Sequence, residues 1–97
     1  MTYSVGDRVV LKGHWEFADG IVGTIVDPPE TVVELCEPGE WRGCRRVHPG
    51  VNGLMTSYFV NFDEPHDDGS GDGPYRGAEI DEASLQPVLG STEGGAI

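Results

Sequence analysis

A glycine-rich acidic segment carries the clearest pattern for metal chemistry. From Asp68 to Glu79 the sequence reads Asp-Gly-Ser-Gly-Asp-Gly-Pro-Tyr-Arg-Gly-Ala-Glu. Oxygen-bearing side chains stand at positions one, three and five, a glycine at six and a carboxylate at twelve, which is the spacing of a calcium loop. The alternative is a solvated loop that keeps a sheet edge from pairing with other chains. The predicted calcium ligands are Asp68, Ser70, Asp72 and Glu79.

Two cysteines and a histidine form a second set with chemical potential, because thiolate and imidazole are the ligands that zinc prefers. Cys36 and Cys44 stand farther apart than the cysteine pairs of structural zinc sites, with His48 beyond them. A cysteine and a histidine could also serve as nucleophile and base. The sequence has no nucleophile elbow and no phosphate-cradling loop to orient such groups. We therefore expect two ordinary thiols, no catalytic residue and no enzymatic activity.

The segment from Trp41 to Arg46 holds three of the chain's six basic residues beside an aromatic side chain. Tryptophan and arginine most often anchor protein interfaces, because one gives large rigid area and the other bidentate hydrogen bonds. Two aromatic residues of the first long loop extend this set into a groove of the kind that accepts extended peptides. The alternative is that the arginines pair with the chain's own carboxylates. The predicted partner-binding residues are Trp41, Arg42, Arg45, Arg46, Trp15 and Phe17.

Length and charge limit the possible functions. The chain has 97 residues, which is one domain by size, and a formal net charge of −11 from 17 acidic and 6 basic side chains. Such a balance disfavours direct binding to nucleic acid, which depends on Lys and Arg displacing counterions from phosphate, and it disfavours acidic lipid surfaces. The electrostatic field of this negative charge also attracts a basic partner surface.

The ends of the chain carry no targeting pattern. No apolar run approaches the roughly 20 residues that span a bilayer, and the segment from Met1 to Asp7 lacks a basic and an apolar region. We therefore expect a cytoplasmic protein, with Cys36 and Cys44 reduced. The composition of residues 90–97 is that of a flexible linker, so a barrel over residues 1–89 and a C-terminal tail are predicted.

Strand signals dominate the rest of the sequence. β-Branched and aromatic residues cluster between Gly, Asp and Pro breakers, which is typical of short strands joined by turns. β Propensity also predicts a strand over Thr31–Glu37, with Val33 and Leu35 in the core. A single 3₁₀ turn is predicted between Asp81 and Leu85, before Pro87 ends it. The other predicted strands are Gly6–Leu11, Gly20–Val26, Met55–Phe62 and Ala83–Val88.

The order of these blocks resembles the SH3-like barrels of small accessory proteins, including those of the nitrile hydratase beta chain and of electron-transport accessory subunits. The resemblance implies an all-β fold: a small, partly open SH3-like barrel of about five strands with long loops and one 3₁₀ turn. It implies no catalytic residue. The matching residues are Gly6–Val9 for G-D-R-V, Gly20–Val26 for G-x-x-G-T-I-V, Tyr58, Val60 and Phe62 for Y-x-V-x-F, and Leu85 and Pro87 for L-x-P.

The sequence therefore predicts a non-catalytic binding or accessory module that docks on a larger protein. One alternative is a calcium-binding protein that acts through the loop from Asp68 to Glu79. Another is an acidic nucleic-acid mimic that occupies the basic groove of a DNA- or RNA-binding protein. In the mimic the phosphate surrogates are Asp63, Glu64, Asp67, Asp68 and Asp72.

Overall fold

The computed structural model describes residues 2–51, 53–71 and 73–88. Within these ranges seven antiparallel strands form one open sheet, which confirms the all-β prediction. Among the described residues, none of the helical segments has the length and hydropathy of a membrane span. The predicted tail, residues 90–97, lies outside the described residues. The strands are β1 Arg8–Leu11, β2 Val22–Ile25, β3 Trp41–Arg42, β4 Arg45–Gly50, β5 Gly53–His66, β6 Tyr75–Asp81 and β7 Leu85–Pro87.

The long strand β5 organises the sheet. One of its edges pairs with β4 as far as Tyr58 and then with β2 from Val60 onward, while the other edge pairs with β6. β2 continues to β1, and β1 to β7. A 3₁₀ turn at Glu82–Ser84 joins β6 to β7, as the sequence predicted. β5 therefore joins the β3–β4 hairpin, the strands β2, β1 and β7, and the strand β6 into one sheet.

The core lies on one face of this sheet. Side chains alternate between faces along a strand, and every second residue of β5 from Tyr58 to Phe62 is buried. The buried Tyr58 hydroxyl accepts a hydrogen bond from the Tyr3 backbone N–H at 3.1 Å, which ties the amino-terminal segment to the sheet. The buried apolar residues are Tyr3, Val9, Leu11, Phe17, Ile21, Ile25, Cys44, Tyr58, Val60, Phe62, Ile80 and Leu85.

The predicted strand over Thr31–Glu37 is wrong, because a short helix, α1, occupies Glu30–Glu34. Pro29 lies at its N-cap with an extended backbone, and Glu30 places a carboxylate in the first turn, where the helix dipole favours negative charge. Val33 and Leu35, predicted as core, have 38% and 88% of their surface exposed. β-Branched residues favour a strand only when a neighbouring strand pairs with them, and this segment pairs with none among the described residues.

An ion pair across the sheet gives a pH-dependent contribution to stability. Arg8 donates two hydrogen bonds of 2.6 Å to the Asp63 carboxylate, one from each terminal nitrogen. These bonds lower the pKa of Asp63 and raise the pKa of Arg8. A carboxyl whose folded pKa is depressed stabilises the fold above its unfolded pKa, and this contribution is lost as the pH falls through the folded value.

We expect a double-mutant cycle of Arg8→Gln and Asp63→Asn, measured by urea unfolding, to give a coupling free energy below about 1 kcal/mol at neutral pH. The value is small because the side chains are 39% and 45% exposed, so that solvent screens them. The coupling should decline once the pH falls below about 4. Coupling that persisted at pH 2 would show that the interaction does not depend on the Asp63 charge.

Candidate functional site

A groove lies on the face of β4, β5 and β6 opposite the core. In the strand register Arg46 stands opposite Ser57, Ser57 stands opposite Asp81, and His48 stands opposite Met55, so these side chains share one face. The loop between β1 and β2, residues 12–21, which we call the first loop, forms the other wall. The volume of the groove is about 290 Å³. We call it the Trp15 groove; its lining residues are His14, Trp15, Glu16, Arg46, His48, Met55, Ser57, Glu79 and Asp81.

The first loop is held by its own hydrogen bonds, and this fixes the position of Trp15. The Gly13 N–H donates to the Asp19 carboxylate at 2.8 Å, and His14 Nδ1 accepts the backbone N–H groups of Glu16 and Phe17, both at 3.1 Å. Trp15 is 82% exposed between these anchored residues. The loop backbone is therefore anchored on both sides of Trp15, whose large aromatic side chain is exposed to solvent.

Phe17 has a different place from the one the sequence predicted. Its side chain is buried, with its ring 5.1 Å from that of Phe62 and 6.3 Å from that of Tyr75. It therefore offers little surface to a partner. Phe17 fastens the loop that carries Trp15 to the core.

Arg46 forms the polar floor of the Trp15 groove. It donates to Glu40 at 2.9 Å and to Glu79 at 2.8 Å. Burial alone would lower the pKa of Arg46, but these two carboxylates outweigh it and the pKa is raised. His48 Nε2 lies 3.2 Å from Ser57 Oγ and 3.9 Å from Glu79 Oε2. The positive charge of Arg46 is thus paired with two carboxylates of the protein itself, which is the alternative role given above for the arginines.

Trp41 stands directly opposite Arg46 in the β3–β4 ladder, so the two side chains lie on the same face. Trp41 is half-buried. Its indole Nε1 is buried, and within the described part of the chain it has no hydrogen-bond partner. Most buried donors of this kind are paired, so the Trp41 N–H is an exception among the described residues.

A second cavity of about 340 Å³ adjoins the Trp15 groove, since both are lined by Glu16 and Glu79. We call it the Tyr75 cavity. Three consecutive residues of β6, Gly77 to Glu79, line it. Successive side chains of a strand point to opposite faces, so a cavity bounded by three in a row runs along the strand edge. The remaining lining residues are Phe17, Val32, Phe59, Asp68 and Tyr75.

The edge of β6 beside this cavity is unpaired among the described residues. β6 pairs with β5 alone, and no backbone hydrogen bond joins residues 76–80 to any other described segment. Such an edge carries a row of N–H and C=O groups that can pair with another extended chain.

The predicted calcium ligands are brought together only in part. Asp68 and Glu79 both line the Tyr75 cavity, but Glu79 accepts a hydrogen bond from Arg46 and Asp68 accepts the Ser70 N–H at 2.9 Å. Asp72 lies outside the described residues. In the ranges that are described, no group of three or more His, Cys, Asp or Glu side chains could hold a metal ion. Calcium binding by this loop stays a prediction.

Two of the predicted partner-binding arginines lie elsewhere. Arg42 and Arg45 line a separate cavity together with Tyr3 and Cys44. The predicted set therefore divides: Trp15 and Arg46 meet in the Trp15 groove, whereas Arg42 and Arg45 do not. Among the proposed phosphate surrogates, Asp63 is held by Arg8 and Asp67 accepts the Gly69 N–H at 2.9 Å.

Comparison with protein-family models, with curated proteins and with solved structures finds no match. Of the residues that line the groove, sequence reasoning assigned only Trp15 and Arg46 to partner binding. Two-residue alternation is the signal that could have added His48, which stands two positions after Arg46 in the same strand.

The two cysteines differ in surroundings, and this predicts different reactivity. Cys44 is buried in the core, and burial is the main cause that raises the pKa of its thiol. Cys36 is half-buried and its Sγ lies 3.7 Å from the Val32 carbonyl oxygen. We expect iodoacetamide at neutral pH to label Cys36 about tenfold faster than Cys44 in the folded protein, since thiolate and access set the rate. In urea, where both thiols are exposed, equal labelling rates of Cys36 and Cys44 are the control. Faster labelling of Cys44 than of Cys36 in the folded protein would contradict this prediction.

Proposed function

We propose that this chain is a non-catalytic binding module that docks on a larger protein by accepting an extended, basic segment of that partner. The segment lies along the edge of β6 and contacts Trp15. The observation that carries the proposal is the position of Trp15, which is 82% exposed on an anchored loop beside an acidic groove. A rigid, solvent-exposed aromatic side chain beside a concave surface is a strong interface anchor.

The unpaired edge of β6 supports binding by strand addition. In this mode main-chain hydrogen bonds to a sheet edge supply affinity, and pockets for alternate side chains supply specificity. The Trp15 groove and the Tyr75 cavity follow one another along β6, with Glu79 in both linings. Side chains of an added strand that point toward this face would enter the two spaces in turn.

The charge of the site supports a basic occupant. The Trp15 groove is lined by three carboxylates, those of Glu16, Glu79 and Asp81, against one arginine, which is already paired. The Tyr75 cavity adds Asp68 and has no basic residue in its lining. A Lys or Arg in the partner segment would meet carboxylates in both spaces, and the net charge of −11 would speed the encounter at low salt.

We propose further that the sheet forms a partly open SH3-like barrel. The succession β1, β2, β5, β6 and β7 supplies five antiparallel strands, and the 3₁₀ turn at Glu82–Ser84 precedes the last of them. In this arrangement α1, β3 and β4 form an insertion between the second and third strands. The insertion brings Arg46 and His48 to the site, while the loop between β1 and β2 brings Trp15.

Selection from a random dodecapeptide library displayed on phage tests the proposed function. We expect enriched peptides with a positive net charge and apolar residues at alternate positions, and stronger enrichment at about 50 mM salt than at about 150 mM salt because salt screens the attraction. The Leu35→Ala protein is the matched control, since Leu35, at the C-cap of α1, is a similarly exposed apolar residue outside both spaces. Enrichment of peptides without Lys or Arg, or equal enrichment on Trp15→Ala, would refute the proposal.

A further inference from the structure

Two arginines stand directly opposite each other at the end of the β3–β4 hairpin. Arg42 pairs with Arg45 across a two-residue turn, Gly43-Cys44, in which Gly43 adopts a φ of +64°. Opposite residues in an antiparallel pair have Cβ atoms about 5 Å apart and side chains on the same face. Like charges in this arrangement are destabilising.

The protein does not neutralise this pair itself, although acidic residues outnumber basic ones by 17 to 6. Within the described ranges neither guanidinium makes an ion pair or a side-chain hydrogen bond. The Asp27 carboxylate lies beside the turn, with its Oδ1 3.8 Å from the point where a Cβ on Gly43 would stand, and it pairs with neither arginine. Both guanidinium groups therefore keep their donors free.

The two arginines line a cavity of about 400 Å³, which is larger than a bare oxyanion requires. Its wall includes the apolar residue Val5, which is 57% exposed, and the hydroxyl-bearing residues Thr2, Tyr3 and Ser4 of the amino-terminal segment. Small-molecule sites typically combine such surface with a few placed polar groups. The lining residues are Thr2, Tyr3, Ser4, Val5, Asp27, Arg42, Gly43, Cys44 and Arg45.

We propose that this cavity binds a small organic anion, whose phosphate or carboxylate group lies between Arg42 and Arg45 and whose carbon skeleton packs on Val5. Arginine suits this role because its planar fork of N–H donors matches the oxygens of both groups. The site is separate from the Trp15 groove, because Arg42 and Arg45 lie on the other face of the hairpin from Trp41 and Arg46. It does not depend on the proposed function.

Titration followed by NMR, at constant ionic strength with chloride as the balancing ion, tests the proposal with three probes: inorganic phosphate, phenyl phosphate and benzoate. We expect saturable shifts of the Arg42 and Arg45 Nε–H signals and of the Gly43 amide. An organic anion should bind about tenfold more tightly than inorganic phosphate because of its apolar contact. The tighter of phenyl phosphate and benzoate identifies the anionic group. Shifts that stay linear with all three probes would overturn the proposal.

The double variant Arg42→Gln/Arg45→Gln should lose at least about tenfold in affinity for the tighter probe, whereas Arg76→Gln, an exposed arginine on β6, should not. The paired variant Arg42→Lys/Arg45→Lys keeps both charges and should bind several-fold more weakly than the natural chain. As an independent readout, the probe should raise the Tm of the natural chain and of Arg76→Gln but not that of the double variant. Equal affinity in the double variant would overturn the site.

Discussion

Replacing Trp15 with alanine should weaken the binding of a selected basic peptide by about thirtyfold or more, which corresponds to the loss of an interface anchor of roughly 2 kcal/mol. The side chain is 82% exposed, so its removal should leave the free energy of unfolding nearly unchanged. Isothermal titration calorimetry of the natural chain and the variant with the same peptide measures the difference. The effect falls on binding because the loop around Trp15 is fixed by hydrogen bonds that do not involve its indole.

Leu35→Ala is the control for this experiment, since it removes a side chain that is 88% exposed and lies outside the groove. We expect its affinity for the peptide to match that of the natural chain. Phe17→Ala is not an equivalent test, because Phe17 is buried and its removal would loosen the loop and the core together. A change of less than threefold in Trp15→Ala would remove Trp15 from the binding surface.

Gly23→Ala should lower the free energy of unfolding by roughly 3 kcal/mol, because the added methyl group has no room. Gly23 is buried where β2 pairs with β5, opposite Phe62. A Cβ there would lie 2.6 Å from the Asn61 carbonyl oxygen and 2.6 Å from Val60 Cγ1. The Asn61 oxygen belongs to the backbone of β5, so relief of the clash requires β2 and β5 to separate. Urea unfolding of the two proteins measures the difference.

Gly50→Ala is the matched control, since it makes the same chemical change in a strand where φ is not positive. There the closest atoms to an added Cβ are Cγ and Sδ of Met55, a flexible side chain that can move aside, and the nearest backbone atom, the Gly53 carbonyl oxygen, is 3.2 Å away rather than 2.6 Å. We expect a loss below about 1 kcal/mol. Similar losses of unfolding free energy in the two variants would show that the close packing of β2 against β5 at Gly23 is not the cause of the destabilisation.

Several elements of the fold could be predicted from the sequence because local chemistry determines them. β1 and β2 are short blocks of β-branched residues between breakers, and the 3₁₀ turn at Glu82–Ser84 lies in the short segment between Asp81 and Leu85 where the sequence predicts it. β6 was missed because its Arg, Gly, Ala and Glu residues form strands poorly by themselves. It becomes a strand because β5 provides a partner along residues 57–61.

The binding site could be predicted only in outline. Trp15 and Phe17 are both aromatic residues of one loop, and sequence alone does not show that one is exposed and the other buried. The neighbouring arginines Arg45 and Arg46 appear equivalent in sequence, yet alternation along β4 places them on opposite faces. The contribution of Glu79 depends on the register between β5 and β6, which involves residues far apart in the chain.

Pairing of a basic, extended segment with the edge of β6 can be observed by NMR of the complex with a selected peptide. We expect intermolecular NOEs between the peptide backbone and amide protons of residues 76–80, with slowed hydrogen exchange at alternate amides of that strand. We also expect NOEs from peptide side chains to the Trp15 indole. A complex whose backbone NOEs fall on β3 or β7, or that leaves the amides of β6 unchanged, would rule out this pairing.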